Sequence, residues 1–109
     1  MSDLQSLITN ILRFRDDRDW KQFHNAKDLA LAIAIEAGEL NELFLWKTAD
    51  EANREKLKKE LADVLIYALL LAHTEGLDVV SIIREKLEEN SRKYPVDKAK
   101  GTAKKYNEL

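Results

Sequence analysis

Carboxylates spaced three residues apart are the groups in this chain best placed to do chemistry. Glu36-Ala37-Gly38-Glu39 and Glu60-Leu61-Ala62-Asp63 each set two of them one helical turn apart, so on a helix both members leave the same face. Around the first pair that face is apolar. Leu29, Ala32, Ile33, Leu40 and Leu43 stand at the i±3, i±4 and i±7 offsets from Glu36, the positions that normally meet a core. Asp63 lies inside a run from Leu61 to Ala72 that is apolar on all sides. An ionised carboxylate in such surroundings is costly unless a positive charge neutralises it. Convergence of Glu36, Glu39, Glu60 and Asp63 therefore predicts a divalent-cation site. Hard oxygen donors and the absence of cysteine favour magnesium, manganese or calcium over zinc. A di-iron bundle is expected to carry Glu-x-x-His, and neither His24 nor His73 stands at that spacing from a Glu.

Helices must position these groups, and the local signals place four. Ser2 with Gln5 forms a capping box, followed by the stripe Leu4, Leu7, Ile8, Ile11 and Phe14, which ends near Asp17. Residues 18–25 have no period and read as a loop. Asn25 with Asp28 opens a second helix through the first carboxylate pair to about Trp46-Lys47. Thr48 with Glu51 reads as a capping box opening the third, whose second half is the apolar run and whose stop is Gly76. Asp78 caps a fourth, with Val79, Val80, Ile83 and Leu87 as its stripe, and Pro95 ends it. Residues 96–109, with Lys98, Lys100, Lys104 and Lys105, read as an irregular basic tail.

The expected fold is all-α, a four-helix bundle-like chain in one domain spanning residues 1–109, with the second and third helices antiparallel. Two helices that are apolar nearly all round exceed what four can cover, so the chain is expected to complete its core by oligomerising. Its 18 basic and 20 acidic residues, net charge −2, leave no global attraction to a nucleic acid polymer or an anionic membrane. The start of the chain lacks a signal pattern, and no apolar run reaches the ~20 residues needed to span a bilayer. A soluble cytoplasmic protein is expected.

Cationic and aromatic residues supply the other half of the chemistry. Lys86, Asn90 and Lys93 fall on one stripe of the fourth helix. Taken alone they read as a solvated face; beside a magnesium site they become candidates for holding phosphate oxygens. Trp46 and Tyr67 stand where each can border the carboxylates and stack on a nucleobase. The aromatic loop with Trp20, Phe23 and His24 reads, on composition, as a plug over the end of a bundle.

The ordered set of motifs resembles a known family. Glu36-x-x-Glu39 followed by Glu60-x-x-Asp63 on two helices is similar to the signature of the MazG-like, all-α nucleoside triphosphate pyrophosphohydrolases. Arg18-Asp-Trp-Lys-Gln-Phe-His24, Gly38-Glu-Leu, Phe44-Leu-Trp46, Glu60-Leu-Ala-Asp-Val-Leu-Ile-Tyr67, Asn90-x-x-x-Tyr-Pro95 and Gly101-x-Ala-x-Lys-Tyr106 resemble its dCTP pyrophosphatase branch.

That resemblance implies magnesium, with manganese as a substitute, held by Glu36, Glu39, Glu60 and Asp63. It implies a nucleoside pocket made by Trp20, Lys21, Gln22, Phe23 and His24 with Trp46 and Tyr67, and phosphate contacts from Lys86, Asn90 and Lys93. Lys93 stands where relatives often have Arg, and Ile35 where many have a second acidic residue, so Glu36 and Glu39 both stay open as the catalytic base. The implied reaction is hydrolysis of a (deoxy)nucleoside triphosphate, dCTP or a related pyrimidine dNTP, to monophosphate and pyrophosphate by a homodimer or a dimer-of-dimers tetramer. The competing reading is a non-catalytic helical module that binds metal or nucleotide and oligomerises.

Overall fold

The computed structural model describes residues 2–109. Its helices are α1 (Asp3–Asp17), α2 (Ala26–Glu42), α3 (Arg54–Thr74), α4 (Val79–Lys93) and the short α5 (Val96–Ala99), with 3-10 turns at Lys21–Phe23 and Tyr106–Glu108. No strand occurs among the described residues. The all-α expectation holds.

Helix starts follow side-chain chemistry. Ser2 Oγ accepts the Gln5 N–H at 3.1 Å while Gln5 Oε1 accepts the Ser2 N–H at 3.3 Å, closing the capping box at α1. Asn25 Oδ1 accepts from the Asp28 N–H and Asp78 Oδ2 from the Ser81 N–H, capping α2 and α4. At the end of α3, the Gly76 N–H bonds to the His73 carbonyl and the Leu77 N–H to the Ala72 carbonyl. With Gly76 at φ +67°, this is a Schellman stop.

Three boundaries differ from the sequence expectation. α2 ends at Glu42, and residues 43–46 form turns rather than a last helical turn. Thr48 and Glu51 do bond, but Thr48 donates both its N–H (3.0 Å) and its hydroxyl (2.6 Å) to Glu51 Oε1, closing a loop turn. The helix waits for Asn53, a stronger cap, whose Oδ1 accepts the Lys56 N–H. The tail is irregular only in part. Pro95 leads into α5, and Tyr106 returns edge-on to Tyr94 with ring centroids 6.3 Å apart.

The chain divides into two compact units, one ending at Leu77 and one spanning Asp78–Leu109. In the first, α2 and α3 form the most extensive helix pair and α1 packs on α3. Leu43 faces Asn53 and Lys56 across one cavity while Glu36 meets Asp63, so the register is antiparallel. Leu29 at 1% exposure, Leu70 and Ala72 form the buried core. Large apolar side chains stay in water, Ile35 at 62% exposure, with Leu31, Leu61 and Leu65 also exposed.

Candidate active site

Antiparallel packing of α2 on α3 brings the two carboxylate pairs together. One oxygen each from Glu36, Glu60 and Asp63 lies within 4.8 Å of the others, and all three residues are half-buried. No Lys or Arg forms an ion pair with them among the described residues. Oε2 of Glu36 and Oε2 of Glu60 are buried without a hydrogen-bond partner. Unpaired buried acceptors of this kind are expensive.

The titration of Glu36 and Glu60 reflects the crowding. Burial, then the adjoining Glu39 carboxyl and the charges of Asp63 and Glu60, push Glu36 above the usual carboxylate range. Glu60 is raised likewise, by burial first and then by Glu39, Asp63 and Glu42. Glu39 itself is exposed and outside the three-oxygen set, alongside both. Three carboxylates that bring one oxygen each together, two of them also carrying an orphaned buried oxygen, fit a divalent cation, which removes the repulsion.

Asp63 also lines a cavity of about 410 Å³ formed by Asn10, Ile11, Phe14, Arg15, Trp20, His24, Asp63, Ile66, Tyr67 and Leu70. That volume lies within the ~300–1,000 Å³ usual for small-molecule sites. The 3-10 turn after α1 delivers Trp20, whose ring meets Phe14 edge-on at 5.7 Å. The loop is therefore no plug over the core: Trp20 is 42% and Phe23 63% exposed. His24 is half-buried, its Nδ1 has no partner, and burial with the nearby Arg15 charge depresses its pKa. A second, more open cavity of about 630 Å³ adjoins the carboxylates, lined by Glu39, Glu42, Leu43, Lys47, Asn53, Lys56 and Glu60.

The residues singled out in the sequence divide accordingly. Trp20, His24, Tyr67 and Asp63 share the aromatic cavity. Lys21, Gln22 and Phe23 are exposed and do not line it; Gln22 Nε2 instead donates to Asp19 Oδ2 at 3.0 Å. Trp46 is 93% exposed at φ +61° and lines neither cavity of its own chain. Lys86, Asn90 and Lys93 belong to the second unit. There Lys86 and Lys93 both pair with Glu89, at 3.2 and 3.1 Å. Asn90 and Lys86 edge a shallow apolar groove of that unit. Asn10, Ile11, Phe14 and Arg15 are cavity residues that no spacing in the sequence marks as functional. The α1 stripe contains Ile11 and Phe14, but as core.

Comparison with known proteins agrees with this geometry. Residues 31–109, which contain both carboxylate pairs, match the MazG-like family. The chain is 41% identical to dCTP pyrophosphatase 1 of Homo sapiens, over 88% of this chain and 61% of that protein, and 40% identical to the Mus musculus protein over the same shares. It thus spans about three fifths of the length of these curated relatives. Its fold is similar to that of a pyrophosphatase from Archaeoglobus fulgidus, with TM-score 0.82 and 34% identity, covering 87% of this chain and 94% of the other. Motifs, helix order and carboxylate geometry thus lead to one assignment: this chain belongs to the MazG-like family.

Proposed function

We propose that the chain hydrolyses pyrimidine deoxynucleoside triphosphates, dCTP foremost, at the α-phosphorus, giving a monophosphate and pyrophosphate, and that it does so as one pyrophosphohydrolase domain. The observation that carries this is the double membership of Asp63, which belongs at once to the carboxylate cluster and to the wall of the aromatic cavity. A nucleoside seated between Trp20 and Tyr67 has its 5′ end directed to the carboxylates. The family, and mammalian relatives that are dCTP pyrophosphatases, support the same substrate class.

In this reading Glu36, Glu60 and Asp63 hold magnesium, with manganese able to replace it. The ion supplies charge neutralisation for the triphosphate and for the carboxylates themselves. Glu39, alongside but outside the three-oxygen set, takes a proton from the attacking water; Glu36 is the other candidate. Water oxygen bonds to the α-phosphorus as the bond to the α–β bridging oxygen breaks, and pyrophosphate leaves with that electron pair. From the aromatic loop, Trp20 and His24 border the nucleoside. The rest is positioning and electrostatics.

A homodimer, or a tetramer of two dimers, is part of the proposal. Apolar side chains left in water on α2 and α3 are the surfaces it covers. Trp46 then serves the pocket of a second copy, which accounts for an indole exposed in its own chain at a left-handed φ. No single helix is long and apolar enough to cross a membrane, and the proposed setting is the cytoplasm. Chromatography of products after incubation with each dNTP and magnesium tests the reaction. Monophosphate and pyrophosphate are expected, and Glu60→Gln should cut turnover by at least about 100-fold. Full activity in that variant would remove Glu60 from the ion's ligands.

A further inference from the structure

Arg15 is the one charged residue buried among the described residues, at 5% exposure. It is also the one cation in the wall of the aromatic cavity. A buried guanidinium is normally satisfied on all its edges, because taking it out of water costs several kcal/mol. This one is not. Its Nε donates to Asp16 Oδ1 at 2.8 Å and its Nη2 lies 2.8 Å from the same oxygen, which uses a single edge of the fork. Asp16 is half in water (54% exposed), so the pair is screened and adds little stability. The opposite edge, Nη1 with the second N–H of Nη2, has no protein acceptor among the described residues.

Beside it stands His24. Its pKa is depressed first by burial and then by the Arg15 charge, so it is a neutral imidazole, and its Nδ1 is buried without a partner. One wall of the cavity therefore offers a pair of parallel donors on Arg15, with the half-buried His24 beside it. Phe14, Trp20 and Tyr67 supply aromatic faces, and Asp63 marks the end toward the carboxylates. A planar base stacks on such faces whatever its identity. Discrimination has to come from the polar wall.

We propose that Arg15 is the base-reading residue: its free edge donates two hydrogen bonds to the adjacent N3 and O2 of cytosine. This rests on the aromatic cavity being the nucleoside site. A guanidinium has donors only. Cytosine is the pyrimidine that offers two neighbouring acceptors on its pairing edge. Uracil and thymine place an N3–H donor against the Arg15 donors. A mismatch leaves buried polar groups unpaired on both partners, which is how such sites reject close analogues.

The test is equilibrium binding of dCMP, dUMP and dTMP to the 109-residue protein in magnesium, followed by tryptophan fluorescence. It compares the wild type with Arg15→Met and Arg15→Lys, each checked by circular dichroism. Arg15→Lys keeps the charge and the Asp16 partner but lacks the paired donors, so it carries the test if Arg15→Met fails to fold. The wild type should prefer dCMP by about tenfold or more. Both variants should lose dCMP affinity by about 10–100-fold, as for one bidentate base contact, while dUMP and dTMP change by less than about threefold. Equal wild-type affinity for the three nucleotides, a parallel loss of all three in the variants, or wild-type discrimination by Arg15→Lys would each overturn the assignment. Binding needs no turnover. A protein that discriminates dCMP but cleaves no dNTP would refute the reaction and leave the base site standing, and the reverse pattern would do the opposite.

Discussion

At Glu36, burial and neighbouring charge both oppose ionisation. Its carboxyl is raised in the folded chain, so folding favours the protonated form. Below the unfolded value of 4.5 both states carry the proton and nothing is lost. As pH climbs through the raised folded value, ionisation beside Glu39, Asp63 and Glu60 costs stability, and the loss is complete above it. Metal-free Glu36→Gln should therefore melt above wild type at pH 8, with the gap closing toward pH 4. Added magnesium should reverse the order, since the ion stabilises the carboxylate. Thermal midpoints in chelator and in magnesium measure this; coincident curves at every pH would contradict the crowded cluster. The four carboxylates were legible in the sequence because a spacing of three on an apolar face has a geometric meaning before any fold is known. Arg15 was not. It sits in Arg13-Phe-Arg-Asp-Asp17, a stretch that reads as solvated charge, and only the turn at Asp19, with φ 57°, and the packing of α1 on α3 bury its guanidinium.

At the scale of elements, the helix ends carry the register that sets Glu36 opposite Asp63. Gly76 sits at φ +67°, and nothing lies within 4 Å of where a Cβ would project from it. Gly76→Ala therefore costs only the left-handed backbone, about 1–2 kcal/mol. That should lower the midpoint by roughly 4–8 °C for a domain of this size. Gly38 is helical, also with nothing within 4 Å of a Cβ, so no helix of its own chain comes close there. Gly38→Ala should be neutral or stabilising by up to about 1 kcal/mol. A large loss of stability in Gly38→Ala would instead mark a close approach from outside the chain. Element starts at Ser2, Asn25 and Asp78 were legible because each cap is a local hydrogen bond. The α2–α3 connection was not: Thr48 and Glu51 make a local bond of the expected kind, but competition with Asn53 decides which bond begins a helix. The C-terminal segment departs from expectation for a different reason. Its lysines suggest solvation, whereas the Tyr94–Tyr106 contact and Lys93 5.1 Å from the Tyr106 ring centroid tie it back.

For the molecule as a whole, the excess of apolar surface expected from two helices hydrophobic nearly all round is present on the folded chain, with Ile35, Leu31 and Leu65 in water. Light scattering should give a mass that is a multiple of 12.6 kDa; a monomer at micromolar concentration would contradict an assembly built on those faces. In the proposed function, assembly and base selection both serve one chemical event, the attack of water on a triphosphate held against Glu36, Glu60 and Asp63. Hydrolysis of dCTP in ¹⁸O-labelled water with magnesium tests that event most directly, with mass spectrometry of both products. Attack at the α-phosphorus predicts one labelled oxygen in dCMP and none in pyrophosphate. Label in pyrophosphate, or products that are dCDP and orthophosphate, would contradict it.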